Sequence, residues 1–184
     1  MEAGVWNDMK RKITLKKILY EILDWSKVLL TAFAITFVVS KTLIANAQVP
    51  TGSMETTIMT GSRVLINRLA YMGKEPERCD IIAFYFPDDK TEKYLKRIIG
   101  LPGEKIEGID GGVYVNDVLL QENYIKEEIN ADFGPYYVPE ESYFVMGDNR
   151  NNSEDSRYWK DKYVEKDEII GKAEIEYFPE LKKF

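Results

Sequence analysis

Along the chain the pattern of apolar positions changes character twice. Over Lys10 to Lys27, apolar residues recur at helical spacing, at Ile13, Leu15, Ile18, Leu19, Ile22 and Leu23, which predicts an amphipathic helix. Val28 to Ser40 then runs without a charge, and the apolar stretch reaches Ala47 only by including Lys41. Past Val49 the helical spacing gives way to short segments rich in β-branched and aromatic residues: Arg63 to Ala70, Asp80 to Phe86, Tyr94 to Ile99, Gly112 to Leu120, Ser142 to Met146 and Ile169 to Phe178. Gly, Pro, Asp and Asn clusters separate them, the punctuation of strands joined by turns. Within VYVNDVLL, Asn116 and Asp117 predict a tight hairpin turn, because both residue types tolerate positive φ. The expected fold class is mainly β, an antiparallel β-sheet domain preceded by a single N-terminal transmembrane helix. Its expected division is a basic amphipathic segment over 1–27, an anchor over 28–47 and a β domain over 48–184.

The apolar segment itself supports two readings. A spanning helix needs roughly 20 apolar residues, and a terminal lysine such as Lys41 can snorkel to the headgroups. Ala45, Asn46 and Ala47 also form an A-x-A site after a basic and then an apolar region, the pattern of a cleavable signal peptide. On this segment alone the signal peptide is the better reading.

Charge adds a direction. Lys10, Arg11, Lys12, Lys16 and Lys17 crowd before the apolar run, while the whole chain carries 25 Lys and Arg against 31 Asp and Glu, a net charge of −6. A basic flank marks the cytoplasmic side, which places the acidic remainder outside a cell membrane crossed once. An acidic domain without a basic stripe argues against nucleic-acid binding. With no histidine and one cysteine, Cys79, the chain lacks the usual ligands of a zinc site, and no metal or cofactor is expected. Cys79 cannot form an intramolecular disulfide and is expected to be buried.

The same absence of histidine shapes the candidate chemistry. A serine hydroxyl attacks poorly until a base takes its proton, and without imidazole the best remaining base is a lysine. An exposed lysine near pKa 10.4 stays protonated at neutral pH, so only a buried one can serve. Strand alternation puts Lys96 on a face with Tyr94 and Ile98 and sends Arg97 to the other, whereas Lys90 and Lys93 fall in the polar cluster DDKTEK. PTGSM, Pro50 to Met54, combines turn-forming residues with Ser53, although alone it reads equally as a hydroxyl turn in a loop. GDNRNNSEDSRYW, Gly147 to Trp159, is the third polar segment, and its default reading is a solvated loop.

In order and wording, PTGSM, YLKRIIGLPGE (Tyr94 to Glu104) and GDNRNNSEDSRYW resemble type I signal peptidases, over about two thirds of the chain from Val49 to Pro179. The resemblance implies a membrane-bound serine endopeptidase that removes signal peptides from exported preproteins after small residues. It implies that Ser53 is the nucleophile and Lys96 the base, and that Thr51 together with the Ser53 amide binds the oxyanion. It further implies that Ser153 hydrogen-bonds and orients the Lys96 amine, and that Asp155 and Arg157 pair to brace the site, with Asp148 and Arg150 in supporting roles. Signal peptides and membrane lipid are the implied partners, with the secretion machinery as a further one. In this family the serine segment follows the anchor almost at once, and PTGSM begins three residues after Ala47, which favours an anchor; self-cleavage after Ala47 stays open beside it. Three positions depart from the family pattern: Thr56 stands where proline is expected, Ser62 where aspartate is common and Cys79 where glycine precedes Asp80. Phe133 to Pro139, with Met54, Ile58 and Met59, reads either as core and loop packing or as an apolar surface resting on lipid. A specialised or self-cleaving serine/lysine peptidase and a non-enzymatic secreted β domain remain as alternatives.

Overall fold

The computed structural model describes the backbone of residues 2–184 and the side chains of residues 16–184. It contains two compact units, Met1–Thr42 and Leu43–Phe184. The first is one helix, α1 (Glu2–Thr42). Its segment Lys16–Thr42 spans 27 residues and holds an 18-residue window with a mean hydropathy of 1.8, enough in length and composition to cross a bilayer. Leu29, Leu30, Phe33 and Ile35 are all exposed, so past Lys27 the helix presents apolar side chains in several directions around its axis. The expected amphipathic face includes Ile13 and Leu15, whose side chains lie outside the described residues; Ile18, Leu19, Ile22 and Leu23 are exposed.

The anchor was expected to reach Ala47, and here the structure differs. The helix stops at Thr42, whose hydroxyl donates to the Val38 carbonyl at 2.7 Å, and Ile44–Gln48 forms strand β1. All five of its residues pair with β2 (Arg63–Asn67). The cause lies in the alternation of IANAQ. Ala45 and Ala47 pack on a hydrophobic core while Ile44, Asn46 and Gln48 face outward, so the A-x-A pattern is the two-residue period of a strand.

The second unit is all strand and turn. After β1 and β2 come β3 (Ile81–Phe86), β4 (Asp89–Gly100), β5 (Lys105–Ile109), β6 (Gly112–Val115), β7 (Val118–Leu119), β8 (Phe133–Tyr137), β9 (Ser142–Met146), β10 (Val164–Glu165), β11 (Ile169–Phe178) and β12 (Lys182–Lys183). The large sheet runs β1-β2-β11-β3-β4-β9-β10, with β12 on β11; the small one runs β7-β6-β5-β8. Every pairing is antiparallel, as the alternating segments led one to expect. Asn116 and Asp117 have φ of 49° and 67°, the left-handed values of the expected hairpin turn.

β3 is buried on both faces: Ile81 and Ala83 join Met54, Ile58, Val64 and Ile66 in one core, and Ile82 and Phe84 join Ile98, Val145 and Trp159 in another. A third core fills the space between the sheets with Ile99, Ile106, Val113, Phe144 and Met146. Phe133, Tyr136 and Val138 pack into that third core, and Met54 and Ile58 are fully buried. Packing therefore claims Phe133, Tyr136, Val138, Met54 and Ile58 of the residues also read as a lipid-facing surface, and leaves Met59, Gly134, Pro135, Tyr137 and Pro139 exposed. Cys79, expected to be buried, is half-buried, and it holds φ at +71°, the left-handed region that favours glycine.

Candidate active site

β4 is where the fold begins to build a site. It is paired with β3 along most of its length, but β9 joins its other edge only at Arg97, Ile98 and Gly100. Lys96 is thus the last residue on the free outer edge of β4 before β9 joins at Arg97, and the chain leaving β9 at Gly147 turns across that gap instead of continuing the ladder. Alternation sends Lys96 and Arg97 to opposite faces, and both are buried.

Lys96 is 4% exposed, and removal from water pushes its amine down to about 8. The Asp155 carboxylate opposes that shift, and the Arg157 guanidinium, bound to the same carboxylate, adds to it. The Lys96 Nζ lies 5.8 Å from the centroid of the Tyr94 ring. That ring is fixed by stacking on Phe86 at 4.6 Å and by an edge contact with Trp159 at 5.9 Å, so an aromatic wall keeps water from one side of the amine. Lys90 and Lys93 are exposed, as their polar surroundings predicted.

Ser53 sits in a one-turn 3-10 helix, Gly52–Met54, just after Val49 leaves the edge strand, and is 7% exposed. Met54, fully buried, pins the turn to the core beneath β1 and β2. The Thr51 hydroxyl lies 3.4 Å from Ser53 Oγ. Ser53 and Lys96 line one cleft of about 1130 Å³, whose walls are the β1 segment Ala45–Gln48 and the free edge of β4 from Glu92 to Leu95. Ala45, Ala47, Ile66, Ala83, Leu95 and Ile170 give it a floor of small and apolar side chains.

The polar run after β9 closes onto the serine turn. The Asn149 amide donates to the Ser53 carbonyl at 3.1 Å, and its Nδ2 donates to the Gly52 carbonyl at 2.9 Å. Asp155 is fully buried and accepts from the Gly147 amide at 2.9 Å, from Ser153 Oγ at 2.8 Å and from Arg157 Nε at 2.8 Å. The expected Asp155–Arg157 pair is present. The expected direct bond from Ser153 to Lys96 is not found among the described residues. A hydroxyl has one proton to give, Ser153 gives it to Asp155, and only its lone pairs remain to face an amine. Asp148 and Arg150 each find a partner on another element: Arg97 Nε and Asp148 Oδ1 meet at 2.8 Å, and Arg150 Nη1 and Glu122 Oε2 at 2.5 Å.

Reading residues alone missed three participants. Asn149 had no assigned role, Tyr94 was noted only as sharing a face with Lys96, and Gly147 was passed over. The signal for Gly147 is its place, immediately after a buried strand and before the polar run, where backbone must pass another backbone closely. No cluster of His, Cys, Asp and Glu able to hold a metal occurs among the described residues.

The family profile described as "Signal peptidase, peptidase S26" matches residues 22–178. The chain is 37% identical over 163 residues to "Probable signal peptidase I-2" of Synechocystis, covering 85% of this chain and 73% of that protein. It is likewise 37% identical over 168 residues to "Signal peptidase I P" of Bacillus subtilis subsp. natto, covering 86% and 90%. A crystal structure of a signal peptidase I from Enterococcus faecalis aligns over 54% of this chain and 97% of its own, at 38% identity and a TM-score of 0.48. The profile and both relatives extend well beyond the three short polar segments, and on that breadth the chain belongs to the signal peptidase family, peptidase S26.

Proposed function

We propose that Ser53 and Lys96 form the catalytic dyad of this signal-peptide-removing serine peptidase. The observation that carries the assignment is the buried Lys96, whose amine is brought to about 8 inside the cleft that also holds Ser53. A fraction of that amine is unprotonated at neutral pH, as a base must be. The unprotonated amine takes the Ser53 proton as Oγ attacks the scissile carbonyl. The resulting ammonium then protonates the leaving amine, and water hydrolyses the acyl-enzyme with Lys96 again as base. The Ser53 amide and the Thr51 hydroxyl are the donors assigned to the oxyanion. Ser153, Asp155 and Arg157 are supports: Asp155, saturated by donors, holds Ser153 and Gly147 in place beside the amine.

The substrate is an extended leader peptide running along the cleft between β1 and the free edge of β4, where unpaired backbone groups supply strand-like hydrogen bonds. Cleavage after small residues, with an A-x-A preference, follows from the shallow apolar floor. The helix Lys16–Thr42 is the membrane anchor, with the N-terminus cytoplasmic and the catalytic domain outside; lipid and the secretion machinery are its surroundings. The test is cleavage of an A-x-A preprotein by the purified full chain in detergent, beside Ser53→Ala and Lys96→Ala. Both variants are expected to lose cleavage, and undiminished activity in either removes that residue from the dyad.

A further inference from the structure

The segment Leu120–Asp132, between β7 and β8 of the small sheet, is a strap without strands or helices of its own, and it has no place in the mechanism so far. Its chemistry is directed at the polar run. The Glu122 carboxylate makes a two-pronged pair with Arg150, and the two side chains are 5% and 1% exposed. The Tyr124 hydroxyl donates to the same carboxylate at 2.7 Å, and its ring lies 4.0 Å from the Arg97 guanidinium. Further along, Asn151 Nδ2 donates to the Glu128 carbonyl and the Asn130 amide donates to Asn151 Oδ1, each at 2.9 Å.

These bonds fix the residues on either side of Asn149, which itself holds the Gly52 and Ser53 carbonyls. On one side of Asn149, Asp148 is gripped by Arg97 through two nitrogens. On the other, Arg150 is gripped by Glu122 and itself donates through Nε to the Gly147 carbonyl at 3.1 Å. A buried guanidinium deprived of its carboxylate does not keep its position, because the uncompensated charge seeks water. Without Glu122, Arg150 would therefore release the Gly147 carbonyl and free one flank of Asn149. We infer that Glu122, with Tyr124 closing the pair, is a positioning residue for the Ser53 nucleophile, acting through Arg150 and Asn149, and that the small sheet presents the strap which carries it. The inference rests on Ser53 being the nucleophile. Since Glu122 touches neither wall of the cleft, its loss should slow the chemical step and leave substrate binding as it is.

The test is steady-state kinetics of the full chain in detergent on a peptide with an A-x-A cleavage site, well below the unfolding midpoint of every variant. Glu122→Gln is expected to lower kcat by about tenfold or more with KM within about twofold, because a displacement near 1 Å of a reacting group can cost on the order of 100-fold. Glu122→Asp should recover part of that loss. Tyr124→Phe, which keeps the ring over Arg97, should lower kcat less. Val113→Ala, a cavity in the core of the small sheet, is the control for general softening and should lower the midpoint while leaving kcat unchanged. A kcat for Glu122→Gln within twofold of the parent, a loss confined to KM, or an equal kcat loss in Val113→Ala would overturn the inference. Ser53→Ala keeps the two assignments apart, since cleavage surviving there would remove the nucleophile itself.

Discussion

The backbone of Gly147 passes so close to Ser53 that a Cβ added at Gly147 would overlap both the Ser53 carbonyl oxygen and the Ser153 side chain. Position 147 is where β9 gives way to the run that holds the serine turn; the Ser53 carbonyl is held there by the Asn149 amide and the Ser153 hydroxyl by Asp155. Gly147→Ala is expected to displace both, lowering cleavage by about 100-fold and stability by about 1–3 kcal/mol. Activity assays paired with denaturant unfolding check this, and a fully active Gly147→Ala would mean that the approach is looser than described.

The depressed Lys96 amine also has a consequence for stability. Its value falls from 10.5 in the unfolded chain to about 8 in the fold, so between these pH values the unfolded state binds more protons and stability rises with pH. Below about pH 8 both states are protonated, and the penalty of the buried ammonium is present in full. Its size is on the order of 3 kcal/mol at 1.36 kcal/mol per unit. Lys96→Met should therefore be more stable than the parent at pH 7, with the difference shrinking towards pH 10. Denaturant midpoints of both proteins across that range test the sign.

Asp148 and Arg97 form a pair closed to solvent, with side-chain exposures of 0% and 9%. Asp148→Ala leaves a buried guanidinium without its partner and is expected to cost about 3–5 kcal/mol. Thermal or chemical unfolding of the variant is the check.

Much of the fold was readable, because five of the six expected strands end near where a turn-forming cluster interrupts alternation; the first stops at Asn67 instead of Ala70. What escaped has a physical reason. β1 was hidden because Ile44–Gln48 continues an apolar stretch, and nothing local distinguishes Ala45 and Ala47 in a strand from the same residues at the end of a helix. β5, Lys105–Ile109, carries Lys105, Glu107 and Gly108, poor strand formers that neighbouring strands hold in place; Lys105 and Glu107 meet at 2.8 Å. β4 begins at Asp89 because a hairpin with β3 tolerates a fully polar, exposed end. In the site, burial of Lys96 followed from alternation, whereas the partners of Asp148, Asn149 and Arg150 did not. Arg97, Gly52 and Glu122 lie far from them in sequence, and only the folded register brings them together.

Pairing of β1 also bears on self-processing. Ala45, Asn46 and Ala47 are held in register against Ile66, Leu65 and Val64, so a peptidase would need to peel the strand off before cutting after Ala47. The purified protein is expected to keep one N-terminus, without a species beginning at Gln48, after prolonged incubation. Intact-mass measurement would reveal such a species.

The central claim is that an unprotonated Lys96 drives cleavage, and the pH dependence of kcat/KM for the free enzyme tests it most directly. The account predicts a limb rising with pH and centred near 8, with no such limb in Lys96→Arg, which should be inactive across the range. A limb centred near 4 to 5 would place a carboxylate in the role of base, and a profile that survives in Lys96→Arg would contradict the account outright.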